Sequence, residues 1–360
     1  MYWLTGNYLI GWIPKMSLPT PLVTTGLITD TVPGALRQPG TQILYGTKIP
    51  FDAFQGFKVD AGLFCSEDRT WSIDGSGFVL LNQTTNQSYA SDDLGNPILT
   101  RPVYNVVAEV EGAVVDSLPG LARGGINITA DSQMWGFETN TRCHVGSGPL
   151  RGDLLMGFRF MRLEENLTIQ DRLAPLRDNT LTFLGQFVNG PNSLMDMDHF
   201  GTQNEFYGGQ VGGTIIYEDS WYFLRIMGKV GFGAIKQTAN IEGSSTLVTP
   251  TGNTNAVGGI LALSSNIGNH SRTVFGILPE WGVSGGFYVT QNIRISAGYS
   301  LLMWSRAVRP GDLIDRGVNP GLIPTSASYG LINGPDRPAL RWNDSTFWMQ
   351  SATAGLEFTF

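Results

Sequence analysis

The chain is poor in charge, histidine and cysteine, and it has no long hydrophobic run. Only 15% of its 360 residues are Asp, Glu, Lys or Arg, where a soluble globular domain carries nearer a quarter. The net charge is -7 and no cluster of Lys and Arg interrupts the acidic balance. That excludes the electrostatic footprint of a nucleic-acid-binding protein. No apolar run reaches about 18 residues, so no transmembrane helix is expected. The three histidines, His144, His199 and His270, are scattered, and with two cysteines they are too few for a metal site, so neither metal nor cofactor is expected. Met1 leads directly into strand-like sequence with no basic segment before it. A membrane barrel is exported, so Met1 is expected to be the start of a trimmed sequence or of a gene model lacking its signal peptide.

What the chain has is glycine, aromatics and strict alternation. Hydrophobic residues make up 42%, aromatics 11%, and there are 46 glycines and 19 prolines. The stretch from Thr202 to Lys236 reads as two strands around Glu218-Asp219-Ser220. Tyr207, Gly209, Val211, Gly213, Ile215 and Tyr217 alternate with Phe206, Gly208, Gln210, Gly212 and Thr214. Tyr222, Leu224, Ile226, Gly228, Val230 and Phe232 then oppose Arg225, Met227, Lys229 and Gly231. Period two means a strand with two unlike faces. One face is apolar with an aromatic at each rim; the other carries glycine, amide and charge. A soluble barrel has the opposite arrangement. An apolar band of about ten residues suits a membrane-spanning strand.

The same rhythm recurs along the chain as a single domain, 1–360. Strands are expected at 2–12, 55–65, 71–81, 121–143, 150–165, 202–217, 221–236, 272–288, 292–305 and 346–360. Long loops fall at about 13–54, 82–120, 166–201, 237–271 and 306–345. Long and short connections alternate, which predicts an all-β fold: a transmembrane antiparallel up-and-down β-barrel of about ten strands, with short periplasmic turns and long extracellular loops. An even count puts both termini at the short-turn end. A weak strand signal at Val103–Val115 would raise the count to twelve if it entered the membrane. A soluble β-sandwich also has short alternating strands, but it predicts neither the loop rhythm nor glycine on the polar face. Gly282-Val283-Ser284-Gly285-Gly286 fits a nucleophile-elbow pattern, but it lies inside a strand, where that motif has no meaning.

Several segments resemble a known family. RQPGTQILYG (37–46), MWGFETN (134–140), LLMGFRFMRLEENLTI (154–169), NEFYGGQ (204–210), LSSNIG (263–268), ISAGYSLLMWS (295–305), VRPGDLIDRGVNP (308–320) and the terminal LEFTF are similar to the planctomycete outer-membrane β-barrel porins. The likeness runs nearly end to end and includes loops. It implies an outer-membrane protein of a planctomycete and passive diffusion of ions or small solutes. The final Phe360 on an alternating strand resembles the C-terminal signature by which barrels meet the assembly machinery.

Residue patterning points the other way on openness. Eight strands leave room only for side chains, and water-filled porins use about sixteen to eighteen. The inward-facing list is balanced: Lys58, Arg159, Arg225, Lys229 and Arg294 against Asp60, Asp74, Glu138, Glu280 and Glu357. Buried charges pair or neutralise, so cross-lumen ion pairs and a mostly plugged barrel are expected, with a structural or surface-interaction role for the loops. Arg309, Asp312, Asp315 and Arg316 form either a loop clamp or cation site, or simply an ion-paired loop fold over the mouth. Asp196, Asp198 and His199 read as a solvated polar loop, or as a hydrolase site at the rim like that of some ten-stranded outer-membrane proteases. Glu164-Glu165 reads as a solvated strand end. No enzymatic activity is expected. Cys65 and Cys143 are a candidate disulfide, although one intervening strand would hold them roughly twice the 4.7–4.9 Å strand spacing apart. The expected partners are outer-membrane lipid, the assembly machinery, and either small solutes or a surface partner.

Overall fold

The computed structural model describes residues 2–146, 148–331 and 333–360. Met1, the middle of the expected turn at Ser147, and Ile332 in the fifth long loop lie outside them. Ten antiparallel strands close into a ring: β1 Tyr2–Trp12, β2 Phe54–Phe64, β3 Trp71–Ala90, β4 Ala122–Val145, β5 Leu150–Pro175, β6 Ser193–Glu218, β7 Tyr222–Thr249, β8 Gly268–Tyr288, β9 Ile293–Val308 and β10 Asp344–Thr359. An eleventh strand of the same sheet, Gly252–Val257, pairs only with the top of β7 and takes no part in closure. Each strand neighbours the next in sequence, and β1 pairs with β10 from Trp3↔Thr359 to Trp12↔Gln350. Tyr2 and Phe360 exchange backbone hydrogen bonds of 3.1 and 2.9 Å at that seam. Their rings stack 5.2 Å apart. Phe360 therefore finishes the closing seam.

Polarity inverts part-way up the wall. In the lower part of β4, Trp135 and Phe137 point out while Glu138, Asn140 and Arg142 point in. Higher on the same strand Ile126, Ile128, Ala130 and Met134 are the buried residues, and Asn127, Thr129 and Asp131 face outward. Lipid around the lower half accepts apolar side chains outside and leaves polar ones to the lumen. Water around the upper half demands the reverse. Leu154 at 64%, Met156 at 66% and Ile226 at 62% exposure belong to the apolar outer band.

That inversion corrects the loop boundaries. β3 continues to Ala90, β5 to Pro175 and β7 to Thr249, and β6 begins at Ser193 rather than Thr202. These extensions sit in segments expected as loops. Their polar residues face outward on strands that have already left the membrane, so their alternation has the sign of a soluble sheet. The Val103–Val115 signal belongs to the hairpin Leu99–Asn105/Val110–Ser117, which does not join the ring. The barrel has ten strands, not twelve. The hairpin joins a separate sheet with Val23–Thr25, Gln42–Tyr45 and, in parallel, Gly317–Val318.

The connections at the lower end are short. At the upper end long segments fold inward. Met16, Leu18, Leu22, Ile49, Leu99, Ile260, Leu263, Leu313, Ile314 and Val318 pack on the inward Ile126, Ile128, Leu167, Ile169, Phe200 and Ile241 of the wall. The upper barrel is thus a filled core whose outer surface faces water.

Candidate functional site

Three layers occupy the lumen. The lowest is a network of charge. Glu138 on β4 sits opposite Arg159 on β5, and Lys229 on β7 opposite Glu280 on β8. Across the lumen Lys229 Nζ donates to both Glu138 oxygens at 2.6 and 2.7 Å, and Arg159 donates to Glu280. The register pairs Arg159–Glu138 and Lys229–Glu280 themselves lie 3.3 and 3.4 Å apart. Four residues from four strands therefore form one ring, a geometry in which buried ions offset each other's desolvation. Gly212 on β6 makes room: a Cβ there would lie 2.5 Å from the Lys229 Cβ.

The remaining expected lumen charges, except Arg225, pair with neighbours. Lys58 and Asp60 lie 3.1 Å apart on β2, and Asn7 donates to Asp60. Arg294 bonds Glu357 across β9 and β10, and Thr5 donates to Glu357 at 3.1 Å. Arg142 donates to Asp74 at 2.5 Å and Asn140 donates to it at 3.0 Å. Arg225 has no carboxylate within ion-pairing distance among the described residues; its guanidinium lies 5.7 Å from the Phe223 ring centre. Arg142, His144 and Asp153 were missed by the sequence reading. His144 Nδ1 is 2.7 Å from Asp153 and its Nε2 2.9 Å from Ser72 Oγ. Arg142 and His144 continue the inward parity of Glu138 and Asn140, and Asp153 that of Gly157 and Arg159, so the signal was present.

Above the charges lies an apolar septum. One inward residue from each strand, Leu9, Phe54, Leu80, Met134, Met161, Phe206, Ile235, Leu278, Leu302 and Phe347, together with Trp304, forms a single cluster in which none of these exceeds 3% exposure. A water-filled passage at this level would wet them. Among the described residues no such passage is wetted at this level. The layer was unreadable in the sequence, because an inward apolar residue at the top of a membrane strand looks like the loss of alternation.

The third layer is the plug. After Ala307 the chain crosses the lumen: Val308 N–H donates to Asn204 Oδ1 at 2.9 Å, and Asn204 Nδ2 donates to the Val308 carbonyl at 2.8 Å. Arg309 then forks onto Glu165 at 2.7 and 2.6 Å and donates to the carbonyls of Pro14 and Lys15. Glu165 is fully buried, so it is no solvated strand end. Asp312, on the single helical turn α1, Pro310–Leu313, accepts from Arg309 N–H at 3.0 Å. Burial pushes its carboxyl up to about 6.

The other loop charges diverge. Asp315 is bound by Arg337 and Arg341 and accepts N–H donors from Gly317 and Ala339. Arg316 forks onto Glu111. The four residues of 309–316 therefore do not converge on one cation site. Only Arg309 reaches the wall; Asp312 caps its own turn, Asp315 binds arginines of the same loop, and Arg316 reaches the hairpin.

The rim cluster also divides. Asp196 and Asp198 point into the barrel and are buried, whereas His199 points out and contacts Thr168 Oγ1 at 3.0 Å through Nδ1. Adjacent positions on a strand face opposite sides, so Asp198 and His199 form no dyad, and the segment is strand rather than loop. Cys65 and Cys143 are both free. Cys143 is the register partner of Trp71, and Cys65 N–H donates to the Trp71 carbonyl, so β3 separates them.

This barrel matches the family described as "Putative beta barrel porin-7 (BBP7)" over residues 3–360. The chain belongs to that family. No curated protein matches it. Among solved structures it is similar to the outer-membrane protease OmpT of Escherichia coli, at 12% identity and a TM-score of 0.41, covering 99% of this chain and 96% of that one. It is also similar to the toluene transporter TodX of Pseudomonas putida, at 8% identity and TM-score 0.20, covering 100% and 90%. A Pseudomonas aeruginosa FadL homologue matches at 8% and 0.23, covering 99% and 89%. The family points to the bacterial outer membrane.

Proposed function

We propose that this BBP7 barrel is closed to diffusion in the conformation described, and that its work is done by the ordered loops it holds above the membrane. The septum carries this reading: an ion would have to shed its water to pass a complete apolar ring. Beneath it, the Lys58 and Asp60 side chains are 37% and 28% exposed, so the charged lower lumen is a vestibule ending at the septum. On this reading the protein is a rigid outer-membrane anchor for a surface of packed loops, in a planctomycete envelope, with no catalytic step. Passive diffusion of small solutes, the activity a porin family suggests, requires both septum and plug to part.

Single-channel recording of the refolded protein in a planar bilayer tests the proposal, after heat-modifiable gel mobility has established that the barrel formed. A folded and silent protein is expected. Discrete, reproducible conductance steps would overturn the closed reading and make diffusion the function.

A further inference from the structure

The hairpin Leu99–Asn105/Val110–Ser117 enters the upper barrel carrying an uneven set of charges. Its Arg101 lies 2.7 Å from Asp171 on β5 and 2.8 Å from Asp198 on β6. Asp198 is satisfied further: the N–H groups of Ile260, Leu261 and Ala262 donate to it at 2.8 to 3.1 Å. That turn comes so close that a Cβ on Gly259 would lie 2.3 Å from Asp198 Oδ1. Asp171 Oδ1 has no partner. Asp196 accepts from Thr325 Oγ1 at 3.1 Å but its Oδ1 has none. Asp116, on the hairpin itself, has neither oxygen partnered. All four carboxylates are at most 1% exposed.

One guanidinium and three backbone donors account for Asp171 and Asp198. Asp116 has only a share of Arg101, which is already bound to two carboxylates, and Asp196 has only the Thr325 hydroxyl; a buried ion so poorly partnered takes up a proton instead. We infer that Asp116 and Asp196 are protonated while the hairpin is seated, and that losing those protons loosens the hairpin, making it a proton-controlled latch on the extracellular plug. The charged groups facing Asp116 are Arg101 from its own hairpin, Asp171 from β5 and Asp196 from β6; Asp196 faces Asp171 and Asp198. Apart from Arg101 these neighbours repel, so ionisation at either position raises the strain on the seat.

Burial holds the Asp116 carboxyl well above the usual range, and it pushes Asp196 up to about 7 and Asp171 up to about 6. A carboxyl raised on folding binds its proton more tightly in the seated state. Seating is therefore favoured most below the ordinary value of roughly 3.9, and that contribution is lost as pH rises through the folded values.

Native-state amide exchange of the full-length refolded barrel tests the latch. Protection of residues 99–117, corrected for intrinsic rates, is expected to fall at least tenfold between about pH 5 and about pH 8. The lower halves of β1 and β2 should stay unchanged. In Asp116→Asn/Asp196→Asn, whose amides stand in for protonated acids, protection should persist at the higher pH. Asp116→Asn alone, at the position with no hydrogen-bond partner, serves if the double variant does not refold, and should show a smaller fall than wild type. Wild-type protection that ignores pH, or an equal fall in the variants, overturns the latch. So does protection restored at the higher pH by calcium alone, which would make a cation the neutralising group.

Discussion

Arg309 and Glu165, far apart in the chain, meet in the middle of the upper barrel as a two-pronged ion pair of 2.6 and 2.7 Å, with side chains 5% and 0% exposed. The pair joins the plug to the wall. The Arg309 guanidinium also lies 5.5 Å from the Phe347 ring centre, so the contact spans β5, β10 and the first loop, through Pro14 and Lys15.

Removing one partner of such a pair strands the other. Arg309→Met should destabilise the seated plug by about 3–5 kcal/mol, because the Glu165 carboxylate is left buried alone. Arg309→Met/Glu165→Leu should recover most of that loss. Urea titration of the compact-to-extended gel shift measures both, and a single variant as stable as wild type would refute the role assigned to the pair.

The septum and the plug are barriers in series. Deleting 310–340 alone should leave the bilayer silent, and so should Phe206→Ala/Trp304→Ala alone. Combining them should give conductance steps. Steps from the loop deletion by itself would mean that the ring of apolar residues does not seal.

Glu138 takes two hydrogen bonds from Lys229 and lies 3.3 Å from Arg159. Glu138→Gln leaves two cations to share Glu280, and should lower barrel stability by about 3–5 kcal/mol. Glu138→Gln/Lys229→Met should be the more stable of the two variants. If the single variant melts at the wild-type temperature, the ring is not a structural network.

The two free cysteines report topology. A membrane-impermeant maleimide should label the exposed Cys65 faster than the half-buried Cys143 in purified barrel. Neither should react when the reagent is added to intact cells, because both lie beside the lower turns. Labelling from outside would invert the orientation. A mobility change on adding reductant would reveal a disulfide.

Much of the fold was legible. The lower halves of the strands carry period-two alternation with apolar residues outward, as β6 and β7 display from Tyr207 to Phe232. The lower charges were legible by the same parity, which also turns Arg142 and Asp153 inward within the expected strands. Above the membrane the reading failed. Asp196, Asp198 and Glu165 look like surface residues by type, yet they are buried through partners supplied by distant loops.

The sequence by itself determined the class of the protein: low charge, glycine on the polar face, alternation and the long–short rhythm of connections define a lipid-facing barrel without reference to any contact. Those are local properties, set by the chemistry of each strand's two faces and by the solvent each face meets. Only the tertiary structure decided what fills the lumen. The septum takes one residue from every strand, the plug seats Arg309 on Glu165, and the hairpin brings Arg101 to Asp171 and Asp198. Each is a meeting of residues far apart in sequence, and closing the ring is what sets the distances between them.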